Sequence, residues 1–155
     1  MKLIFGEEEY FVFNGQNVSD PVKLKNSLLQ ASSIVCVIDC ENLICRDQFI
    51  AAVHRAIRSS KTGVAISKIL GIEIMLQLTG THQVKIALDR FDVSNDTTDI
   101  IVLQDSPDPR SSSLLPGFPL INLRHEIIEK YFDDPPKDPC SSVISLGVRM
   151  VVDHE

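Results

Sequence analysis

A chain of 155 residues and 17.3 kDa, 44% hydrophobic and 23% charged, has the size and apolar content of one ordinary folded domain. That content excludes a long disordered protein, and no apolar run approaches the roughly 20 residues a membrane span requires. A net charge of −6 argues against a general nucleic-acid coat.

Residues 2–5 and 10–13 are rich in aromatic and branched side chains around a turn near Gly6, which predicts a hairpin. The acids Glu7, Glu8 and Glu9 leave no apolar signal-peptide core there, so a soluble, cytoplasmic protein is expected, nuclear as well if the source is eukaryotic. Asp20 followed by Pro21 starts a helix, acid at the cap and proline at the first position, running to about residue 30. Residues 34–38 read as a short buried strand.

Asp47 is expected to cap a second helix, whose apolar stripe is Phe49, Val53, Ala56 and Ile57; His54, Arg55 and Arg58 fall away from that stripe. A third, mostly buried helix is predicted over 67–78. Thr79, Gly80 and Thr81 break it, and Val84, Ala87, Leu88 and Phe91 mark a fourth. Residues 99–103 read as a strand.

Seven of the eight prolines follow residue 106, so 106–119 reads as a surface loop. A helical pattern returns over 120–132, 133–139 is a second break, and 141–152 supplies a helix-like piece and a terminal strand. The mixed element order predicts an α+β fold, with a small mixed or antiparallel sheet packed with several helices. Nothing requires more than a single domain over 1–155.

Charge is unevenly spread. Residues 46–90 hold seven Lys/Arg against three acids, a net +4 inside an acidic protein. Such a segment holds a polyanion locally, or forms the solvated faces of helices. Within it, Gly80-Thr81-His82-Gln83 opens the fourth helix, where free N–H groups and the helix dipole favour an anion. Lys61 and Lys68 would bring the charge a phosphate needs; the plain alternative is an ordinary capped helix break.

Enzyme signatures are sparse: there is no phosphate loop with a lysine, no G-x-S-x-G elbow and no H-E-x-x-H pair. Asp92, Asp96 and Asp99 lack the glycine and closing glutamate of a calcium loop and read as a polar connection. The four cysteines are not expected to form a disulfide framework in a cytosolic chain of this length. Cys36, Cys40 and Cys45, with Cys140 or His54 as fourth ligand, give the competing reading of a small metal- or thiol-dependent enzyme. Their spacing is poor for structural zinc, and Cys36 sits in an apolar run as a small hydrophobe would.

Four pieces in order carry a family resemblance. These are Ala51-Ala52-Val53-His54-Arg55-Ala56-Ile57, Glu73-Ile74, Gly80-Thr81-His82-Gln83-Val84 with Ala87-Leu88, and Phe91 through Thr97-Thr98-Asp99-Ile100-Ile101-Val102. Together they resemble the kinase-binding subunit of the KEOPS (EKC) complex, the family that includes the PRPK-binding protein of eukaryotes. The resemblance covers residues 34–103, with a looser echo over 143–152. His82 stands where archaeal relatives often have arginine, Lys68 where many relatives have arginine, and Asp92 where glycine is usual.

The resemblance implies a non-catalytic accessory and regulatory subunit without cofactor or metal, acting in tRNA processing. It would bind the small atypical protein kinase/ATPase of the complex, and through it the other KEOPS subunits, supporting threonylcarbamoyladenosine tRNA modification. It also implies binding of the tRNA 3′ CCA end, for which Lys61, Lys68, Gly80, Thr81 and Gln83 are the candidates. Kinase docking is expected near the end of the chain, where Val143, Ile144 and Leu146 carry more apolar surface than a short tail buries alone.

Overall fold

The computed structural model describes residues 1–121 and 125–145. The chain divides into two compact units: residues 1–41 with 91–120, and residues 42–90 with those beyond 120. The fold is α+β, as the element order predicts, and the sheet is antiparallel throughout.

The first unit is built on that sheet. β1 (Lys2–Phe5) and β2 (Glu8–Gly15) form the expected hairpin, turning at Gly6 with a left-handed φ of 65° that favours glycine. The strand order is β1-β2-β4-β3, with β3 at Ile34–Asp39 and β4 at Ile100–Gln104. α1 (Pro21–Leu29) starts where predicted: the Asp20 carboxylate accepts from the Lys23 N–H at 3.3 Å, and Pro21 occupies the first turn. Leu24 and Leu28 pack with Ile34, Val37, Ile100 and Val102, so the helix covers one face of β3 and β4.

The 106–119 segment is more ordered than a surface loop. A turn of 3-10 helix at Pro109–Ser111 leads into β5 (Leu115–Pro116), which pairs with β2 through Phe13 and Asn14. Buried Asn14 donates its amide to the carbonyls of Leu115 (3.3 Å) and Gly117 (2.9 Å). Ser111 exchanges side-chain hydrogen bonds with buried Gln104. Pro116 is tolerated because β5 lies at a sheet edge. This anchoring uses individual side chains, so it leaves no periodic trace.

The second unit is helical. α2 (Arg46–Thr62) buries the expected stripe of Phe49, Val53, Ala56 and Ile57, together with Ala52, and ends at Gly63 in the left-handed conformation (φ 78°). Its cap is displaced from the expected position. Cys45 is the N-cap residue, and Asp47 lies in the first turn, where its charge complements the helix dipole. Gln48 reaches back instead, its side-chain oxygen accepting from the Ile44 N–H at 2.8 Å.

α3 (Leu70–Thr79) starts three residues later than predicted and stops at Gly80, φ 72°. α4 spans Val84–Phe91. Of the helix expected over 120–132, the described residues show α5 (His125–Glu129): Leu120 is 83% exposed and non-helical, whereas Ile127 and Ile128 are buried. Residues 139–145 are helical; the predicted terminal strand and Leu146 lie outside the described residues.

A cross-link also departs from expectation. Cys45 and Cys140 form a disulfide, with Cα atoms 5.9 Å apart across 95 residues of sequence. Sequence spacing is silent about a pairing that only the packing of 139–145 near the start of α2 brings within reach.

Candidate nucleic-acid interface

The basic segment folds mainly into the α2–α3 hairpin. His54, Arg58 and Lys61 recur at i, i+4 and i+7, so they share one face of α2, and all three are exposed. That face runs to the C-terminal end of the helix, and exposed Lys68 follows in the connection to α3. Lys61 and Lys68 therefore flank the same inter-helix bend, with Arg58 one turn behind. Arg58 was legible as a polar-face residue; its helical spacing to Lys61 is the signal that adds it to the candidates.

Arg55 turns inward. Burial lowers its guanidinium pKa, and its Nε donates to Gln77 Oε1 at 3.2 Å. The Gln77 amide approaches Glu73 Oε2 at 3.5 Å, and Glu73 Oε1 accepts the N–H groups of Ile66 (2.8 Å) and Ser67 (2.9 Å). Glu73 is 1% exposed, so this carboxylate is committed to the interior of the hairpin. The Ser67 hydroxyl then accepts from the Ile69 N–H at 3.1 Å. The buried Glu73 carboxylate thus fixes the backbone before Lys68 and the Ser67 hydroxyl fixes it after, so Lys68 presents its charge from an ordered bend.

The glycine break sits elsewhere. Gly80, Thr81 and Gln83 follow the C-terminus of α3, whereas Lys68 precedes its N-terminus. Ten helical residues at about 1.5 Å each separate the two groups by about 15 Å. The structure does not bring them into one anion pocket. The backbone there is also engaged: Gly80 N–H donates to Leu76 O at 2.9 Å, Thr81 N–H to the same oxygen at 3.4 Å, and Gln83 N–H to the Thr81 hydroxyl at 3.1 Å. What the break offers a ligand is the exposed Gln83 side chain and the partly exposed Gly80 and Thr81.

Around the first turn of α2 a second polar network closes the helical unit. Gln48 donates to Leu78 O (3.1 Å) and to the Tyr131 hydroxyl (3.3 Å), which itself donates to Asn42 O at 2.7 Å. The Asn42 amide donates to Arg90 O at 2.8 Å and its side-chain oxygen accepts from Lys130. Arg90 donates to Lys130 O and stacks on the Tyr131 ring, 5.2 Å from its centre. Burial pushes the Tyr131 hydroxyl up to about 12.

The remaining sequence candidates fall as follows. Val143 is 2% exposed and packs with Ile44 and Ile127, so it is a core residue of the helical unit and not part of a docking surface. Ile144 is half-buried. Cys36 and Cys40 belong to the sheet unit and are free thiols, while Cys45 and His54 belong to the helical unit. With Cys45 in a disulfide, the proposed thiolate set is not assembled. Asp92 pairs with Lys25 at 2.7 Å, and Asp99 accepts the Asn17 N–H at 2.9 Å, as a polar connection requires. Thr97 serves structure too: its hydroxyl donates to Asp39 Oδ2 at 2.8 Å. Nothing in the sequence singled out Asp39, a 9% exposed carboxylate at the end of β3.

Among the described residues, no group of three or more His, Cys, Asp or Glu side chains could hold a metal ion, and no helix is long and apolar enough to cross a membrane. The chain thus combines an antiparallel sheet unit with a helical unit that exposes Arg58, Lys61 and Lys68. Residues 16–116 match the family described as kinase binding protein CGI-121, and the chain belongs to that family. The EKC/KEOPS complex subunit CGI121 of Yarrowia lipolytica (strain CLIB 122 / E 150) is 26% identical over 106 residues, which cover 67% of this chain and 63% of that relative. The family match includes Lys61, Lys68, Gly80, Thr81 and Gln83 and ends before Val143.

Proposed function

We propose that this protein is a non-catalytic accessory subunit of a KEOPS/EKC-type complex, a single functional module that binds a small atypical protein kinase/ATPase and supports threonylcarbamoyladenosine tRNA modification. The observation that carries the reading is the family match over residues 16–116, from the end of β2 to β5. The chemistry would belong to the other subunits. The reading needs no cofactor in this chain, and its place of action is the cytoplasm, with the nucleus in a eukaryotic source. Co-elution of the full chain with the small kinase tests it. Failure to co-elute overturns the adaptor role.

The finer part of the proposal concerns tRNA. A single-stranded 3′ CCA end running along the hairpin would meet Lys61, Lys68 and Arg58 at one end of α3 and Gln83, with Gly80 and Thr81, at the other. Two contacts about 15 Å apart suit an extended strand better than a single phosphate. The chain has no Trp, and the one Phe or Tyr of the basic segment 46–90, Phe49, is buried, so base stacking on such rings contributes little there and the charges dominate. Neutralising about two to three phosphates gives a shallow salt dependence. Fluorescence anisotropy with full-length and CCA-less tRNA reads this directly: Lys68→Glu should weaken binding of the full-length tRNA, and loss of CCA should have a comparable effect. Equal affinity for both tRNAs, unchanged in Lys68→Glu, removes the tRNA role.

Kinase docking is proposed at the C-terminal segment through Ile144 and Leu146, next in sequence to the buried Val143. Ile144→Asp with Leu146→Asp should abolish co-elution while the circular dichroism spectrum stays folded.

A further inference from the structure

The Cys45–Cys140 disulfide ties the segment 133–145 to the start of α2. Upstream, residues 130 and 131 are held by hydrogen bonds with Asn42, Gln48 and Arg90. Three prolines, Pro135, Pro136 and Pro139, then lead into the helical residues 139–145. Among the described residues, the hydrogen bonds of 133–145 stay inside the segment: Ser141 and Ser142 bond to Asp138, and Ser145 to Ser141. Among the described residues, Val143 packs against Ile44 and Ile127, with Cys45, Tyr131 and Phe132 against the same cluster, and the disulfide adds the covalent attachment. At the other end of that bond, Cys45 is the N-cap residue of α2, makes no side-chain capping hydrogen bond and packs against Ile44, Ile127 and Val143.

We propose that Cys45 and Cys140 are a reversible redox latch, exchanging with a small disulfide of the glutathione type, that fastens the 139–145 helix to the start of α2. Both cysteines are half-buried, within reach of a small thiol, whereas Cys36 is fully enclosed in β3. Burial pushes the Cys36 thiol up to about 12 and raises that of Cys40, with Asp39 and Asp99 adding to the latter. A raised pKa disfavours the thiolate that exchange requires at these two positions. In the oxidising direction one cysteine thiolate attacks glutathione disulfide, forming a mixed disulfide and releasing one glutathione. The second cysteine attacks the protein sulfur of that mixed disulfide, forms Cys45–Cys140 and releases the other glutathione. Two protein thiols are oxidised by two electrons, one glutathione disulfide is reduced to two thiols, and the reverse sequence opens the latch.

The test uses the full chain equilibrated in oxidised or reduced glutathione. Cysteine alkylation with mass spectrometry reads the bond, and hydrogen–deuterium exchange of peptides spanning 132–145 reads the helix. Linkage of Cys45 to Cys140 in the oxidising buffer, with Cys36 and Cys40 unlinked, is expected. So is about tenfold or greater acceleration of exchange over 139–145 on reduction, with 125–131 unchanged. Cys140→Ser should exchange at the reduced rate in both buffers, and the reduced wild type gives the same reading without a substitution. Equal exchange in the two buffers, or no Cys45–Cys140 linkage under oxidation, overturns the proposal.

Discussion

In the sheet unit, β4 is buried at every position from Ile100 to Gln104, and ladders to β2 and β3 satisfy its backbone on both sides. In the helical unit the corresponding task falls to buried polar side chains: Glu73 holds the turn before α3, Gln48 holds the turn before α2, and Asn42 ties α4 to the end of α5. Removing apolar volume should therefore damage the first unit, and removing one acceptor the second. The contrast also bears on function, since the bend that carries exposed Lys68 is held by the buried Glu73 carboxylate.

The largest effect is expected from Ile100→Ala. Ile100 is 0% exposed, and deleting its branched side chain should cost about 3–4 kcal/mol, read as a drop in the urea midpoint by circular dichroism. Glu73→Ala comes next, at about 2–3 kcal/mol, because the Ile66 and Ser67 N–H groups lose their acceptor together. Glu73→Gln keeps one acceptor oxygen and should recover part of that loss. A cost for Glu73→Ala no greater than that of a surface substitution would mean that the polar network does not support the hairpin. Asp20→Ala should cost about 1 kcal/mol by removing the α1 cap.

A pH effect in the sheet unit is smaller. Asp39 has its pKa raised above the ordinary 3.8 chiefly by burial, against the opposing hydrogen bonds from Glu41 N–H and Thr97. The folded state then favours the protonated form relative to the unfolded chain. Its contribution is fully present below 3.8 and is lost as pH rises through the raised folded value. Asp39→Asn should flatten that decline in urea midpoint; an unchanged slope would show that Asp39 does not control it. The smallest stability effects belong to Lys61→Gln and Lys68→Gln, within about 0.5 kcal/mol of wild type, which makes them clean probes of tRNA affinity.

Much of the frame was legible because it is local. The β1–β2 hairpin, the Asp20-Pro21 start, β3 and the apolar stripe of α2 each announce themselves within a few residues. Errors came where a distant partner decides. Asp47 satisfies the usual cap pattern, yet Gln48 finds the Ile44 N–H and Cys45 is taken into a disulfide. Residues 106–119 have loop composition, yet Asn14 and Gln104, about a hundred and a few residues upstream respectively, pin them to the sheet.

The candidate interface divides the same way. Charge counting along the chain located the basic segment, and helical periodicity is enough to put His54, Arg58 and Lys61 on one face. By itself the sequence thus determined the α+β class, the positions of most helices and strands, and the residue set that carries the positive charge. Only the tertiary structure decided which of those residues stand together. It set Lys61 with Lys68 and placed Gly80 and Gln83 at the far end of α3, buried Val143, and joined Cys45 to Cys140. The reason is physical: side-chain patterning reports which face of an element leaves water, but which partner that face meets depends on packing across the chain.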